Sequence, residues 1–181
     1  GVVYEVTTYR AEVYVSDSRK PTVQFGTDLS ADLVRRDFTI NAMAAALPSG
    51  EVVDLFGGVE DLRAGVLRTP RSPQESFSED PLRMMRAARF AARFNLEVAP
   101  EVFEAMREMA GRIEIISAER VRDELVKLIE ADYPRVGLNL LVDTGLADYV
   151  LPELPALRME MDPAHHHKDV YEHSLKVLEQ A

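Results

Sequence analysis

The amino-acid sequence predicts an α+β protein that is mostly helical, and three observations carry that expectation. Residues of high strand propensity gather near the start, as VVYEVTTY at 2–9 with more of the same at 12–15. A proline-punctuated breaker, TPRSP, occupies 69–73. Beyond it, apolar residues recur at the spacing of helices that bury one face. A mixed α/β piece over 1–70 followed by a helical piece over 71–160 is the expected organisation.

Along the first strand Glu5 shares a face with Val3, Thr7 and Tyr9, while Tyr4 and Val6 take the other. A carboxylate there either faces solvent or serves as a ligand for a cation. SDSRKPTVQF at 16–25 is polar, carries Arg19 and Lys20, and reads as a loop ending at Gly26. Residues 28–47 read as one or two helices, with Asp28 or Ser30 as N-cap and Pro48 to Gly50 closing the stretch. Within it, Arg35, Arg36 and Asp37 precede an apolar-rich run. Such a cluster is costly to bury without partners, and it forms either a structural network or part of a site. Glu51 to Phe56 is a short strand, Gly57 and Gly58 a turn, and Val66 to Arg68 another strand.

After the breaker, EDPLRMMRAARFAAR at 79–93 reads as a helix. A second, over 100–110, starts at Pro100, ends before Gly111 and buries Val102, Phe103, Met106 and Met109. Ser117 caps a third, with Val121, Leu125 and Leu128 on one face and Glu119 in the first turn, where the helix dipole favours an acid. Shorter helices follow over 134–141 and 145–150, then LPELPAL, then a helical stretch over 169–181. No internal repeat is present.

At about 100° per residue, Arg83, Arg86, Arg89 and Arg93 fall within an arc of about 120°, with Asp80 beside its start. The opposite face carries Met84, Met85, Ala88, Ala91 and Ala92. Like charges one turn apart repel, and too few acids lie on this face to neutralise them, so the stripe suits an anion. Asp80 and Arg83 place an acceptor and a donor fork one turn apart. That spacing suits a nucleobase edge, and equally a capping Asp80 paired with Arg83.

The 181 residues can bury a sizeable core. No apolar run is long enough to span a membrane and no secretory signal opens the chain, so a cytoplasmic protein with no membrane partner is expected. Without cysteine there is no disulfide framework and no thiolate metal site. A net charge of −10 and a pI near 4.9 weigh against nucleic-acid binding by the whole surface. Contact must be local. Residues 68–93 supply it, with Arg68, Arg71, Arg83, Arg86, Arg89 and Arg93 against only Glu75, Glu79 and Asp80. The chain opens inside a strand-like run and stops inside a helix-like one, as a fragment would.

EVTTYRAE at 5–12, SRKP at 18–21, DLVRRDFTINAMA at 32–44, DLFGGVEDLRAGVLRTP at 54–70, SFSEDPLRMMRAARFAARF at 76–94 and ISAERVRDELVKL at 116–128 follow in that order. Together they resemble the class II tRNA nucleotidyltransferases, or CCA-adding enzymes, and the related bacterial poly(A) polymerases. RRDFTINAM followed by EDPLRMMRAARF is the most specific part. The resemblance implies the latter part of a polymerase β-type nucleotidyltransferase head over 1–70, a helical neck and body over 71–160, and the start of an HD-type helical region over 161–181. It implies template-independent addition of CCA to the tRNA 3′ end from CTP and ATP. Poly(A) addition is the alternative within the enzyme class, and a noncatalytic nucleotide- or RNA-binding remnant is the alternative outside it. Mg²⁺ is the implied cofactor. In the family, two such ions sit on an Asp-x-Asp strand that, like a glycine-rich GG-x-x-R-D turn, is not among these residues, so the fragment alone is expected to be inactive.

Residue by residue, Arg36 and Asp37 match the family's ribose-recognising pair, and Asp80 and Arg83 the pair that replaces a nucleic-acid template. The chemistry is intelligible: a carboxylate accepts from the amine of cytosine or adenine, and a guanidinium donates to the neighbouring ring acceptors. Arg86 and Arg89 are implied triphosphate or base-site ligands, Glu79 a residue that orients Arg83, and Glu5 the candidate catalytic carboxylate. The resemblance further implies a helix over 76–94 bordering a cleft with the RRD segment. ISAERVRDEL matches a structural neck segment in which Arg120 and Glu124 brace each other on successive turns. HHHKDVYEHSL resembles the entrance to an HD phosphohydrolase-type domain, with His173 as its first histidine. His165, Asp169 and His173 share a helical face, and no metal site is expected there.

Overall fold

The computed structural model describes residues 9–13, 22–26, 28–159 and 170–180. Glu5, His165 and Asp169 lie outside the described residues. Strands β1 (Tyr9–Val13) and β2 (Thr22–Gly26) pair antiparallel, from Tyr9 opposite Gly26 to Val13 opposite Thr22. β2 occupies part of the stretch read as a loop. Thr22, Val23 and Phe25 are residues of high strand propensity.

Helix α1 (Leu29–Leu33) is capped by Asp28, whose carboxylate accepts from the Ser30 N–H at 2.9 Å. Of the one or two helices expected over 28–47, this is the single α-helix, and it ends at Leu33. Phe38 is extended at φ −135°, ψ 153°. Its N–H donates to the Asp37 carboxylate at 3.0 Å, and the Thr39 N–H to the Arg68 carbonyl at 2.8 Å. These bonds give the backbone partners that a helix would otherwise supply. A 3₁₀ turn, Thr39–Asn41, leads to β3 (Met43–Ala45), which pairs antiparallel with β4 (Val52–Asp54). Pairing overrides the helix propensity of the alanines.

The expected Gly57–Gly58 turn is the entrance to a further helix, α2 (Gly58–Ala64), which Gly57 approaches with φ 74°. The Asp54 carboxylate accepts from the Val59 and Gly58 N–H groups, both at 2.9 Å. Those bonds, Val59's first, hold its carboxyl below the usual carboxylate range.

β5 (Val66–Leu67) pairs in parallel with β6 (Glu97–Val98). A parallel pair requires a crossover, here α3 (Pro73–Glu79) and α4 (Leu82–Phe94). The single helix expected over 76–94 is thus two. Proline disfavours α geometry in the residue before it, and Asp80, preceding Pro81, is extended at φ −140°, ψ 97°. α5 (Pro100–Met109) ends before Gly111 as expected, and a 3₁₀ segment over Ala110–Ile115 continues from it. Then come α6 (Ala118–Ile129), with Ser117 at its N-cap but making no side-chain cap bond, and α7 (Pro134–Asp143). α8 (Ala147–Val150), α9 (Glu153–Ala156), a 3₁₀ turn at Leu157–Met159 and α10 (Val170–Leu178) complete the described chain. The α+β, mostly helical class read from the sequence is the one observed.

α4 is central, packing on α6 and α7. Met84, Met85, Ala88, Ala91 and Ala92, its expected apolar face, are at most 1% exposed. The buried cluster continues across the TPRSP segment, from Phe38 and Leu67 to Phe77 and Met84. α7 approaches α4 closely through Gly137, where a Cβ would lie 2.5 Å from the Ala88 carbonyl oxygen and 3.0 Å from the Ala92 Cβ. Gly137→Ala must push two helices apart and should cost about 1–3 kcal/mol, the range for overpacking. A shift of the urea midpoint measures it; an unchanged midpoint would mean that the helices separate freely. Among the described residues no helix is long and apolar enough to cross a membrane.

Candidate functional site

The segment after α1, the α3–α4 junction and the outer face of α4 enclose a cleft of about 500 Å³ lined by Arg36, Asp37, Asn41, Asp80, Arg83, Arg86 and Phe90. Five of the seven candidates named from the sequence, Arg36, Asp37, Asp80, Arg83 and Arg86, are on its walls.

Asp37 is buried, and its charge is met on every side. Oδ1 accepts from the Phe38 N–H and from Asn41 Nδ2, both at 3.0 Å; Oδ2 accepts from Arg86 Nε at 2.8 Å and Nη2 at 2.5 Å. A carboxylate has about four acceptor sites, so these donors fill it. Arg36 stands exposed beside it and pairs with Asp32 at 3.0 Å.

Arg83 is held from two elements. Nη1 donates to the Ser76 hydroxyl and Nη2 to the Arg35 carbonyl, both at 2.8 Å. Glu79 lies 3.8 Å from it and forms a closer pair with Arg71. Of the five guanidinium N–H donors, two are thus taken by hydrogen bonds. Asp80 does not pair with Arg83. Its Oδ1 accepts from the Leu82 N–H at 3.1 Å, and its Oδ2 is 3.2 Å from Arg120 Nη2. The extended backbone at Asp80 swings its carboxylate off the α4 axis and toward α6.

Arg89 does not line the cleft. It is 9% exposed, its Nε donates to Glu124 Oε2 at 2.5 Å, and its guanidinium lies 4.3 Å from the centre of the Phe90 ring. By helical spacing it sits about 120° from Arg83, which turns it toward α6 and a second hollow shared with Arg93 and Lys127. The expected Arg120–Glu124 brace is likewise replaced: Arg120 pairs with Asp80, and Glu124 with Arg89 and, at 3.9 Å, Arg86.

Asn41, Ser76 and Phe90 were not singled out from sequence. Asn41 follows Asp37 by four residues, a spacing that hinted at contact, whereas the break at Pro81 hid the approach of Ser76 to Arg83. Chemically, the cleft joins an acceptor with open sites, Asp80, to a donor fork with open N–H groups, Arg83. Such a wall can hold an edge that presents an amine beside ring acceptors.

Residues 1–68 match the family described as "Poly A polymerase head domain", and residues 95–157 match "Probable RNA and SrmB- binding site of polymerase A". The CCA-adding enzyme of Levilactobacillus brevis is 46% identical over 150 residues, covering 82% of this chain and 38% of its own. The chain belongs to the family of CCA-adding enzymes and poly(A) polymerases. Among solved structures, the Bacillus stearothermophilus CCA-adding enzyme in complex with CTP superposes with a TM-score of 0.74 at 39% identity, covering 83% of this chain and 36% of that one. The Thermotoga maritima CCA-adding enzyme complexed with tRNA-CCA gives a TM-score of 0.63 at 31% identity, covering 75% and 33%. The chain therefore spans well under half the length of each of these relatives.

The family implies Mg²⁺, and the described residues do not fit it. No three His, Asp or Glu side chains among them gather as a cation site. Asp37 is filled by Arg86, Asn41 and the Phe38 N–H, and Asp80 faces Arg120. His173 is exposed on α10.

Proposed function

We propose that this chain carries the nucleotide-selecting part of a template-independent RNA nucleotidyltransferase that completes the CCA end of tRNA from CTP and ATP. The convergence of Arg36 and Asp37 with Asp80 and Arg83 on one cleft carries the reading. Arg36 and Asp37 take the ribose, Asp80 and Arg83 read the base edge, and Arg86 meets the phosphates. Arg89 supports Arg86 from behind through Glu124. Because four donors already fill Asp37, a sugar hydroxyl reaches it by displacing an Arg86 N–H, and the freed guanidinium then turns to the triphosphate. The head extends over 1–70, the RNA-binding neck and body over 71–160, and an HD-type region begins within 161–181. The matched ranges 1–68 and 95–157 support that division. Mg²⁺ is the cofactor of the reaction, held by none of the described residues, and Glu5, outside them, is the candidate catalytic carboxylate. The setting is cytoplasmic.

The full-length gene product, given tRNA lacking its terminal residues and all four nucleotides, should add C, C and A and stop. A run of adenylates would make it a poly(A) polymerase. No addition by a folded, CTP-binding protein would make it a noncatalytic binder.

A further inference from the structure

Helix α6 reaches the cleft wall from behind with two side chains one turn apart. Glu124 is buried and meets Arg89 and Arg86. Arg120 is different: its side chain is 54% exposed and its Nη2 lies 3.2 Å from Asp80 Oδ2. An ion pair that open to water adds little to the stability of the fold, so its consequence is to be sought in what it does to Asp80.

Asp80 occupies the break between α3 and α4, where no helix backbone fixes its direction. A single bond, from the Leu82 N–H to Oδ1, leaves the carboxylate free to rotate about the Cβ–Cγ axis. The second contact, from Arg120 to the other oxygen, fixes its plane. Three residues on, Arg83 is likewise fixed twice, by Ser76 and by the Arg35 carbonyl. We infer that Arg120 is a positioning residue for base selection: it holds the Asp80 carboxylate at the angle from which its open acceptor sites meet a base amine and reject a carbonyl. The inference rests on Asp80 and Arg83 being the base-reading pair. Hydrogen-bond selection is angular, weakening steeply once donor and acceptor are misaligned, and a carboxylate that rotates freely presents an acceptor to many orientations. Neither the Ser76 nor the Leu82 contact can substitute, since one acts on Arg83 and the other leaves that rotation open.

The test uses the full-length gene product with Arg120→Met, which keeps most of the stem and removes the charge, and with Arg120→Lys, which keeps the charge. Single-turnover incorporation of CTP against UTP, and of ATP against GTP, is measured beside thermal unfolding. Arg120→Met should lower both selectivity ratios by about threefold to tenfold, the scale of one charge-assisted contact, with the melting temperature nearly unchanged. Arg120→Lys should recover part of the loss. Selectivity ratios equal to those of a selective wild type would overturn the positioning role and leave the function reading standing. So would a uniform slowing with a lowered melting temperature, which marks a merely structural residue. A wild type with no preference among the four nucleotides would sink the function reading, and this inference with it.

Discussion

Glu124→Ala should lower the free energy of unfolding by about 3–5 kcal/mol, the cost of leaving a buried charge without its partner. The Glu124 side chain is 7% exposed and that of Arg89 is 11% exposed, and they meet at 2.5 Å. Arg86 at 3.9 Å and Lys127 at 3.5 Å complete the ring of cations around the carboxylate. Removing it leaves Arg89, among the described residues, with the face of Phe90, a contact worth about 0.5–2 kcal/mol and too little to replace a desolvated ion pair. Lys127 and Arg86 reach water or Asp37 and recover; Arg89 does not. Equilibrium urea denaturation measures the loss. Replacing both partners, as Glu124→Leu with Arg89→Met, should bring stability back close to wild type, because two apolar side chains of similar volume need no compensation. A single-mutant loss below about 1 kcal/mol would show that water screens the pair after all.

Glu124 also marks the limit of what could be read in the sequence. The 3.6-residue period of α4 gave its apolar face directly, and Met84, Met85, Ala88, Ala91 and Ala92 are buried as that period requires. It gave the arginine face equally well. It could not say that the face has two sides, Arg83 and Arg86 turned toward the segment after α1 and Arg89 toward α6, because that depends on which helices flank α4. Spacing within α6 paired Arg120 with Glu124, since local geometry is all that spacing contains. The structure gives each a long-range partner instead, in Asp80 and Arg89.

Residues 28–47 misled for a related reason. ALPSG aside, their composition is that of a helix, and the features that stop it are non-local: the Thr39 N–H bonds the Arg68 carbonyl, the Thr39 hydroxyl bonds Asp61 at 2.7 Å, and β3 finds β4. Pro81 was legible in principle. Its effect on the residue before it would have split 76–94 into two helices and shown that Asp80 need not follow the α4 face. The motifs RRDFTINAM and EDPLRMMRAARF pointed to one site although long-range pairing could not be derived from them. What joins them physically is the Arg86–Asp37 pair and the bond from Arg83 to the Arg35 carbonyl.

Asp80→Ala should lower discrimination against UTP and GTP by about tenfold or more, since the hydrogen bond lost with CTP or ATP and the repulsion relieved with UTP or GTP are each worth about 1–3 kcal/mol, and 1.4 kcal/mol is tenfold. The carboxylate has room to meet a base. Its donors among the described residues are the Leu82 N–H and Arg120, which leaves acceptor sites open toward a cleft shared with Arg83. Its other role is local. Accepting from Leu82 at the start of α4 amounts to a helix cap, whose loss costs about 0.5–2 kcal/mol of stability. Asp80→Ser separates the two roles, because a serine hydroxyl can keep the cap without keeping the carboxylate. Single-turnover incorporation of each of the four nucleotides onto tRNA lacking its terminal residues, by the full-length gene product, reads selectivity; thermal unfolding reads the cap. Asp80→Ala should lose both, and Asp80→Ser should keep the stability and lose the selectivity. Were the serine variant as selective as wild type, or the alanine variant uniformly slower with all four nucleotides at unchanged ratios, Asp80 would be a cap for α4 and the base-reading role would fall.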